Sequence, residues 1–600
     1  MNLLKETVWS IPIYSLVGAL LSVLWFPSIT KRTGPRPAGY VNLLLTLLAF
    51  AHSLGLLVTV WGQAPSVVDY PWLVVGDFRL SFPFLVSPLA AGAAVVVTGL
   101  NLLAQVYAIG YLEMDWGWAR FFSLLGLFEG GMCALVFCQS LFFSYIILEI
   151  LTLGTYLLVG VWYNQPLVVT GARDAFLTKR VGDLLLLMGV VALYPFTGTW
   201  NFDELAAWAA RTDIDPQVMT WVGLGLLAWP VAKCAQLPFH LWLDEAMEGP
   251  LPSTILRNSV VVATGTWVLI QLYPVLALSP LVLQTAGVIG AATALGGALV
   301  AIAQIDIKRI LSYLTSAYLG VVFVAVATGE LNLARQSLLT YAVAMALLVM
   351  AVGAVVWNSR VQDVRWLGGL LRRRPISAVT FMVGGATLVG LPPLAGFGPL
   401  SGLLDAWAGQ PGLVLWLGLV TIASTLALTR AFGLIFLGAP QQMTERSPEV
   451  HWPMILPMTV GVGVALNLPV MLWQWGFRPA WSPLAGVLPL AVGLGVGLGL
   501  VQYGESRQVW KVSPAWQEFF ARDFYSSDLY RLTIVRLVAA FSQVLEWVDN
   551  RLVDGAGQAV GLLTLLSGDR LRYTTGGQAQ WYVLTVVLGT AGLVAWVWWR

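Results

Sequence analysis

Four apolar stretches of this chain carry groups that can take up and release a proton. "LLAWPVAKCAQLPFHLW", residues 226–242, holds Lys233 and His240. "SYIILEILTLGTYLLVGVWY" holds Glu149, "LFEGGM" holds Glu129, and "LTKRVGDLLLL" holds Lys179, Arg180 and Asp183. A charge at the centre of a lipid-spanning helix costs about 3 kcal/mol on insertion scales, so such groups face the interior, pair, and mark function. Burial and a neighbouring carboxylate act in opposite senses on an ammonium's hold on its proton. A Glu149–Lys233 pair that forms and separates is therefore a proton switch; the competing assignment is a static structural pair. Glu129, near the end of its run, reads equally as a snorkelled or loop-facing group. His240 reads equally as a satisfied core histidine and as a proton carrier.

Other chemistries find no support. The three histidines, His52, His240 and His451, are far apart and lack ligand spacing, so no full metal site is placed on this chain. Cys133, Cys138 and Cys234 lie in apolar runs without a C-x-x-C pair and read as small core residues. "GLGVGLGL" near Gly493 has no preceding strand and no following Lys-Ser/Thr, so it is a packing surface and not a phosphate loop. A net charge of +2 gives no reason to expect nucleic acid.

The elements that must position these groups are membrane helices. The chain has 600 residues, 58% hydrophobic and only 10% charged, against about a quarter charged in soluble domains. Apolar runs of about twenty residues recur about sixteen times. In lipid only helices or closed barrels satisfy their own backbone, and uninterrupted runs exclude the barrel. The fold class is all-α and polytopic. The first run continues into a basic loop without a small-residue cleavage site and reads as a span, not a removed signal. The segments expected are residues 1–119 as N-terminal spans, 120–275 and 276–440 as two inverted five-helix repeats, and 441–512 as C-terminal spans. Residues 513–572, with Arg531, Arg536, Glu546 and Asp549 among Leu, Val and Trp, suit a lateral amphipathic helix, followed by a last span in 573–600.

Two runs are interrupted, at "AQLPFH" in the seventh and "GLPPLAGFGP" in the twelfth, each the fourth span of its block. Paired breaks point to a repeat-built transporter; two ordinary proline kinks are the simpler alternative. Lys31, Arg32 and Arg36, then Arg173, Lys179 and Arg180, then Lys308 and Arg309, then Arg360, Arg365 and Arg372 to Arg374 all follow odd-numbered spans. Basic loops stay cytoplasmic, which puts both termini on the other side. "YPWLVVGDFRLSFPF" alternates apolar and polar residues and reads as a hairpin on that other side. The two blocks differ in chemistry. The second has no charge in its broken run until Asp405, and "SLLTYAVAMALLVMAVGAVVW" has no ionisable group except Tyr341.

"ARFFSLLGLF", "LEILTLGTYLLVGVWY", "AFLTKRVGD", "KCAQLPFHLWLDEAMEGPLP", "QIDIKRILSYLTSAYLG" and "GLPPLAGFG" resemble the antiporter-like subunits of respiratory complex I and its relatives. Sixteen spans with a late lateral helix resemble the distal, NdhF-type member. The resemblance implies that Glu149 is the family's span-five glutamate, Lys233 its span-seven lysine and Asp183 the acid of its "RVGD" element. The chain departs from the family in the second block. Asn258, preceded by Arg257, stands where a span-eight histidine is usual. Tyr341 and Met345 replace the histidine and lysine of span eleven, and Ser337 replaces its first histidine. Gly398, Pro399 and Leu400 follow "GF" where a lysine or acid is usual.

That pattern resembles the divergent NdhF-type subunits of the carbon-dioxide-uptake form of the cyanobacterial type-I NAD(P)H dehydrogenase. The implied function is a distal membrane-arm subunit of a photosynthetic, plastoquinone-linked complex, beside an NdhD-type neighbour in the thylakoid membrane, with lumenal termini. It would couple proton movement to carbon dioxide hydration by a docked cytoplasmic Cup-type protein, which would carry any zinc; this chain would carry no cofactor and no complete catalytic site. Glu149, Lys233, Asp183, Arg180, Glu129 and His240 would transfer protons. Arg257 and Glu245 would contact bicarbonate or the partner, unless Arg257 merely pairs with Glu245 or Glu248. A conventional proton-pumping NdhF subunit is the alternative, and a purely structural anchor for the partner a third.

Overall fold

The computed structural model describes residues 2–26, 34, 36–76, 78–113, 115–211, 214–479, 481–505 and 514–600. Lys31 and Arg32 of the first basic loop, and the expected boundary at Ser513, lie outside these. Among the described residues, twelve helices are long and apolar enough to cross a membrane, and two shorter apolar helices, Ser10–Val23 and Pro375–Leu388, join them. The helices Pro166–Thr197 and Pro216–Lys233 fall on the two remaining expected spans. Helix dominates because each N–H and C=O finds its partner within the segment.

Local chemistry sets several starts. Pro88 and Pro216 occupy first helical positions, with Ser87 and Asp215 side chains accepting from the N–H groups of Ala90 and Gln217. Asp306 does the same for Lys308 and Arg309 at the start of Ile307–Ala327. The Pro166–Thr197 helix ends at Gly198, where φ is +65° and a glycine carries no Cβ penalty. The expected hairpin is present: Ser66–Val75 pairs antiparallel with Phe78–Val86. Phe82 packs at a tilt against Phe143, and Phe84 approaches Phe137, so the apolar face of the hairpin covers helix ends.

Both expected breaks are real. The Pro216–Lys233 helix stops at Lys233, and helix resumes only at Leu241–Glu245. Pro375–Leu388 stops before the "GLPPLAGFG" segment, and helix resumes at Phe397–Ala406. Helices Ile307–Ala327 and Leu331–Ser359 are almost wholly buried and form the centre of the second block.

The chain divides into two compact units, Met1–Phe524 and Tyr525–Arg600. The second unit is helical throughout 526–574, with π-helical turns at Arg531–Val535 and Asp549–Val553, followed by the apolar helix Ala579–Trp599. The long helix thus starts later than residue 513. The short helix Pro514–Ala521 belongs to the first unit.

The basic residues need a correction. Lys179 and Arg180 lie in the middle of the Pro166–Thr197 helix, not in a loop. Lys308 is buried and donates to the Met247 carbonyl at 2.8 Å. Arg374 is buried and donates to the Ala354 carbonyl at 2.7 Å. Charges in loops and at span ends report sidedness, so Lys179 and Arg180 leave the count. Sequence mistakes Lys179 and Arg180 for loop charges because they follow a polar stretch, whereas Arg374 and Lys308 do stand at the ends of helices.

Candidate functional site

The first block is drawn together by glycines. A Cβ on Gly182 would come within 2.5 Å of the Ala232 Cβ, and one on Gly189 within 2.9 Å of Leu226. The helices Pro166–Thr197 and Pro216–Lys233 therefore pack at close range. That contact sets Asp183 beside Trp229, whose indole N–H donates to Asp183 Oδ1 at 2.9 Å. Lys233, one turn beyond Trp229, is buried and donates from Nζ to Thr152 Oγ1 at 3.0 Å. Thr152 lies one turn from Glu149 on the Leu141–Val159 helix.

The expected Glu149–Lys233 pair is not formed. Glu149 pairs with Arg180. The physical reason is helix geometry. Arg180 and Asp183 stand three residues apart on one face, so the helix that delivers Asp183 to Trp229 also delivers a guanidinium to Glu149. Arg180 takes the carboxylate, and Lys233 turns to the hydroxyl. Glu149, Arg180, Asp183 and Lys233 are nonetheless held in one cluster by three adjacent helices. Asp183 Oδ2 and Glu149 Oε1 have no hydrogen-bond partner among the described residues. The cluster has spare acceptors for a proton and an ammonium beside them.

Sequence reasoning named Lys179 among the groups of its stretch but gave it no role in proton transfer. Its ammonium is buried, lies 3.7 Å from the centroid of the Trp242 ring and has no hydrogen-bond partner among the described residues. The signal was present: a Lys-Arg pair on consecutive positions points two cations to different faces of one helix.

The other expected residues lie apart from this cluster. Glu129 is fully buried at mid-helix in Trp118–Phe137, so the snorkelled reading is wrong. Thr46 Oγ1 and Asn101 Nδ2 each donate to its Oε2 at 2.6 Å, and Gln105 Nε2 donates to Thr46 at 2.8 Å. His240 is buried just past the break, with Nε2 2.5 Å from Asp523 Oδ2. Asp523 was missed because "RDFYSSD" reads as surface sequence.

Arg257 pairs with neither Glu245 nor Glu248. It opens a π-helical turn, Arg257–Val261, and is buried. Its guanidinium donates to the Ala246 carbonyl at 2.7 Å and to Thr254 Oγ1 at 3.0 Å, with Asn258 Oδ1 and Met247 Sδ each at 3.3 Å. These contacts hold the 246–247 turn and leave little for a ligand. Glu245 is half-buried, with its backbone carbonyl against Gly171.

The second block offers no matching cluster. Ser337, Tyr341 and Met345 are all fully buried, and the two smaller or apolar replacements face a packed interior. A small cavity of about 30 Å³ lies near the second break, bordered by Leu314, Tyr318, Val321, Leu388 and Leu400. Its lining is mainly aliphatic, with Tyr318, Thr421 and Ser424 as the polar members. Among the described residues no three His, Cys, Asp or Glu side chains gather as metal ligands.

Comparison with known proteins places these features. Residues 138–426 match the family model of the NADH:quinone oxidoreductase/Mrp antiporter membrane region, and 72–122 match that of the complex I chain 5 N-terminus. An NAD(P)H-quinone oxidoreductase subunit 5 of Paulinella chromatophora, designated organellar chromatophore 2, is 44% identical over 99% of this chain and 98% of its own length. The chain belongs to the NAD(P)H-quinone oxidoreductase subunit 5 family. The subunit 5 family also includes the chain 5 of Picosynechococcus, 31% identical over 99% of both chains. A chain of the Mrp complex from Dietzia shares the fold at a TM-score of 0.67 and 22% identity, covering 98% of this chain; this chain spans 62% of that one. A chain of the archaeal membrane-bound sulfane sulfur reductase also shares it, at 0.67 and 17%, over 83% of this chain and all of that one. The protein is a multi-pass, antiporter-like membrane-arm subunit.

Proposed function

We propose that this subunit stands at the distal end of the membrane arm of a photosynthetic NAD(P)H dehydrogenase and serves carbon dioxide uptake. The observation that carries the reading is the asymmetry of the blocks. The first holds Asp183, Lys179 and Lys233 buried, with the half-buried Glu149–Arg180 pair close beside them. The second has Tyr341, Met345 and Leu400 buried and a mainly aliphatic cavity instead. A conventional pump needs groups that accept and release protons across both halves. Identity supports a divergent branch, since this chain shares 44% with the chromatophore protein and 31% with the Picosynechococcus chain 5.

Carbon dioxide hydration releases a proton, and a zinc-bound hydroxide is regenerated only when that proton leaves. The metal belongs to a docked cytoplasmic Cup-type protein; the cluster around Lys233 handles the proton. Glu149 and Asp183 accept it, Lys233 stores it, and Arg180 sets which carboxylate is free. Glu129 and His240 serve as separate relay points. Arg257 orders the turn that leads to the partner face. The complex resides in the thylakoid membrane beside an NdhD-type subunit, with the termini on the lumenal side and the 526–574 helix along its neighbours.

Purification of the intact complex through a tag on this subunit tests the reading. A zinc-containing cytoplasmic protein and carbon dioxide hydration activity should elute with it. A complex that lacks both, yet pumps protons on quinone reduction, would establish the conventional role.

A further inference from the structure

The π-helical turn Arg257–Val261 lies where the first block meets the Leu331–Ser359 helix of the second, and three contacts fasten the turn and its C-terminal edge. Cys234, the residue after Lys233, donates from Sγ to the Val262 carbonyl at 3.1 Å. Arg257 ties the turn to the Ala246 carbonyl. From the second block, Tyr341 donates its hydroxyl to the Asn258 carbonyl at 2.6 Å. The Tyr341 ring is fully buried and stacks on Tyr318, with centroids 5.3 Å apart and planes 22° apart. Behind it Tyr318 and Thr340 hydroxyls stand 3.4 Å apart, and Asn258 Nδ2 is 3.4 Å from Thr315 Oγ1. A line of polar groups therefore leads from the break beside Lys233 to the middle of the second block.

We propose that Tyr341 seals this line, so that a proton held near Lys233 does not pass into the second block. A relay group must accept a proton on one side and donate one on the other. The Tyr341 hydroxyl donates to a backbone carbonyl, which holds no proton to pass on. The paired rings of Tyr341 and Tyr318 occupy the space in which water could bridge. Arg257 adds to the seal, because its permanent charge on the same turn repels an approaching proton. The seal directs the proton chemistry of the first block to one side of the membrane.

The inference rests on the first block being a proton site, and the test separates the two. Membrane vesicles holding the intact complex are given a potassium-diffusion potential without electron donor, and proton entry is followed with a pH dye. Tyr341→His replaces the phenol with a group that accepts and donates, and proton entry should rise at least threefold per complex. Tyr341→Phe keeps the ring and should stay as tight as the parent. If the histidine variant does not accumulate, Tyr341→Ser, which opens room for water at the Asn258 carbonyl, should leak instead. Adding Lys233→Met to the leaking variant should close it again. A leak that survives Lys233→Met keeps the seal but removes Lys233 from the path. Tight vesicles in both polar variants, or a leak in Tyr341→Phe equal to theirs, would overturn the proposal.

Discussion

The two blocks share an architecture and differ in what they bury. Each has a broken helix followed by a resumed segment, at Lys233 and at Leu388. In the first, the break exposes an ammonium to Thr152 and brings Asp183, Glu149 and Arg180 around it. In the second, the break borders a mainly aliphatic cavity with hydroxyls but no ionised side chain in its lining. A broken helix in a membrane needs protein around its unwound backbone, but it needs no titratable side chain. Helix breaks thus mark a scaffold; the first block gathers acids and bases beside its break, whereas the buried Lys308, Arg374 and Arg430 of the second are spent on backbone carbonyls.

Packing should respond most strongly. Gly182→Val forces the two first-block helices apart, because even a Cβ would lie 2.5 Å from Ala232. The subunit should fall to undetectable levels in immunoblots of membranes. A change at a second-block glycine with open space, Gly398→Val, meets nothing nearer than 4.0 Å from its Cβ and should accumulate normally. Equal loss from both would break the comparison at its root.

A charge placed in the second block comes next. Met345 is fully buried, and Met345→Lys puts an unpaired ammonium there at a cost of about 3 kcal/mol. Accumulation should drop to less than half, with no gain in proton translocation. Normal accumulation with added translocation would show a latent channel.

Asp183→Asn keeps an acceptor for the Trp229 N–H but removes the charge beside Lys233. Complex content should be normal, with proton-coupled turnover down about a hundredfold, the lower range for losing an acid–base group. In the second block, Tyr318→Phe loses only a 3.4 Å contact to Thr340. It should change stability by less than about 1 kcal/mol and turnover by less than twofold.

Much of this was legible in the sequence, for identifiable reasons. The spans, both breaks and the hairpin follow from hydropathy, Pro-Gly punctuation and period-two alternation. The list of buried acids and bases follows from the cost of placing them in lipid. Partner choice does not follow, because it depends on how helices rotate against each other. Glu149 took Arg180 and not Lys233 for that reason, and Arg257 took carbonyls and not Glu245. Lys179 looked like a loop residue because Arg173 and Asp174, six and five positions earlier, make the segment look polar; they pair with each other at 2.8 Å. Asp523 lies 283 residues from His240 in the chain, and no local pattern announces such a contact.

The most direct test is Lys233→Met in the intact complex, which preserves side-chain length and removes the titrating group. Bicarbonate formation by the whole complex should fall sharply while assembly stays close to normal, and added partner protein should not rescue it. Glu149→Gln should behave alike, and the double variant should be little worse than either, since members of one relay are not additive. Cells carrying Lys233→Met that hydrate carbon dioxide at the parental rate, with the complex intact, would show that the lysine is structural and that the subunit only anchors its partner.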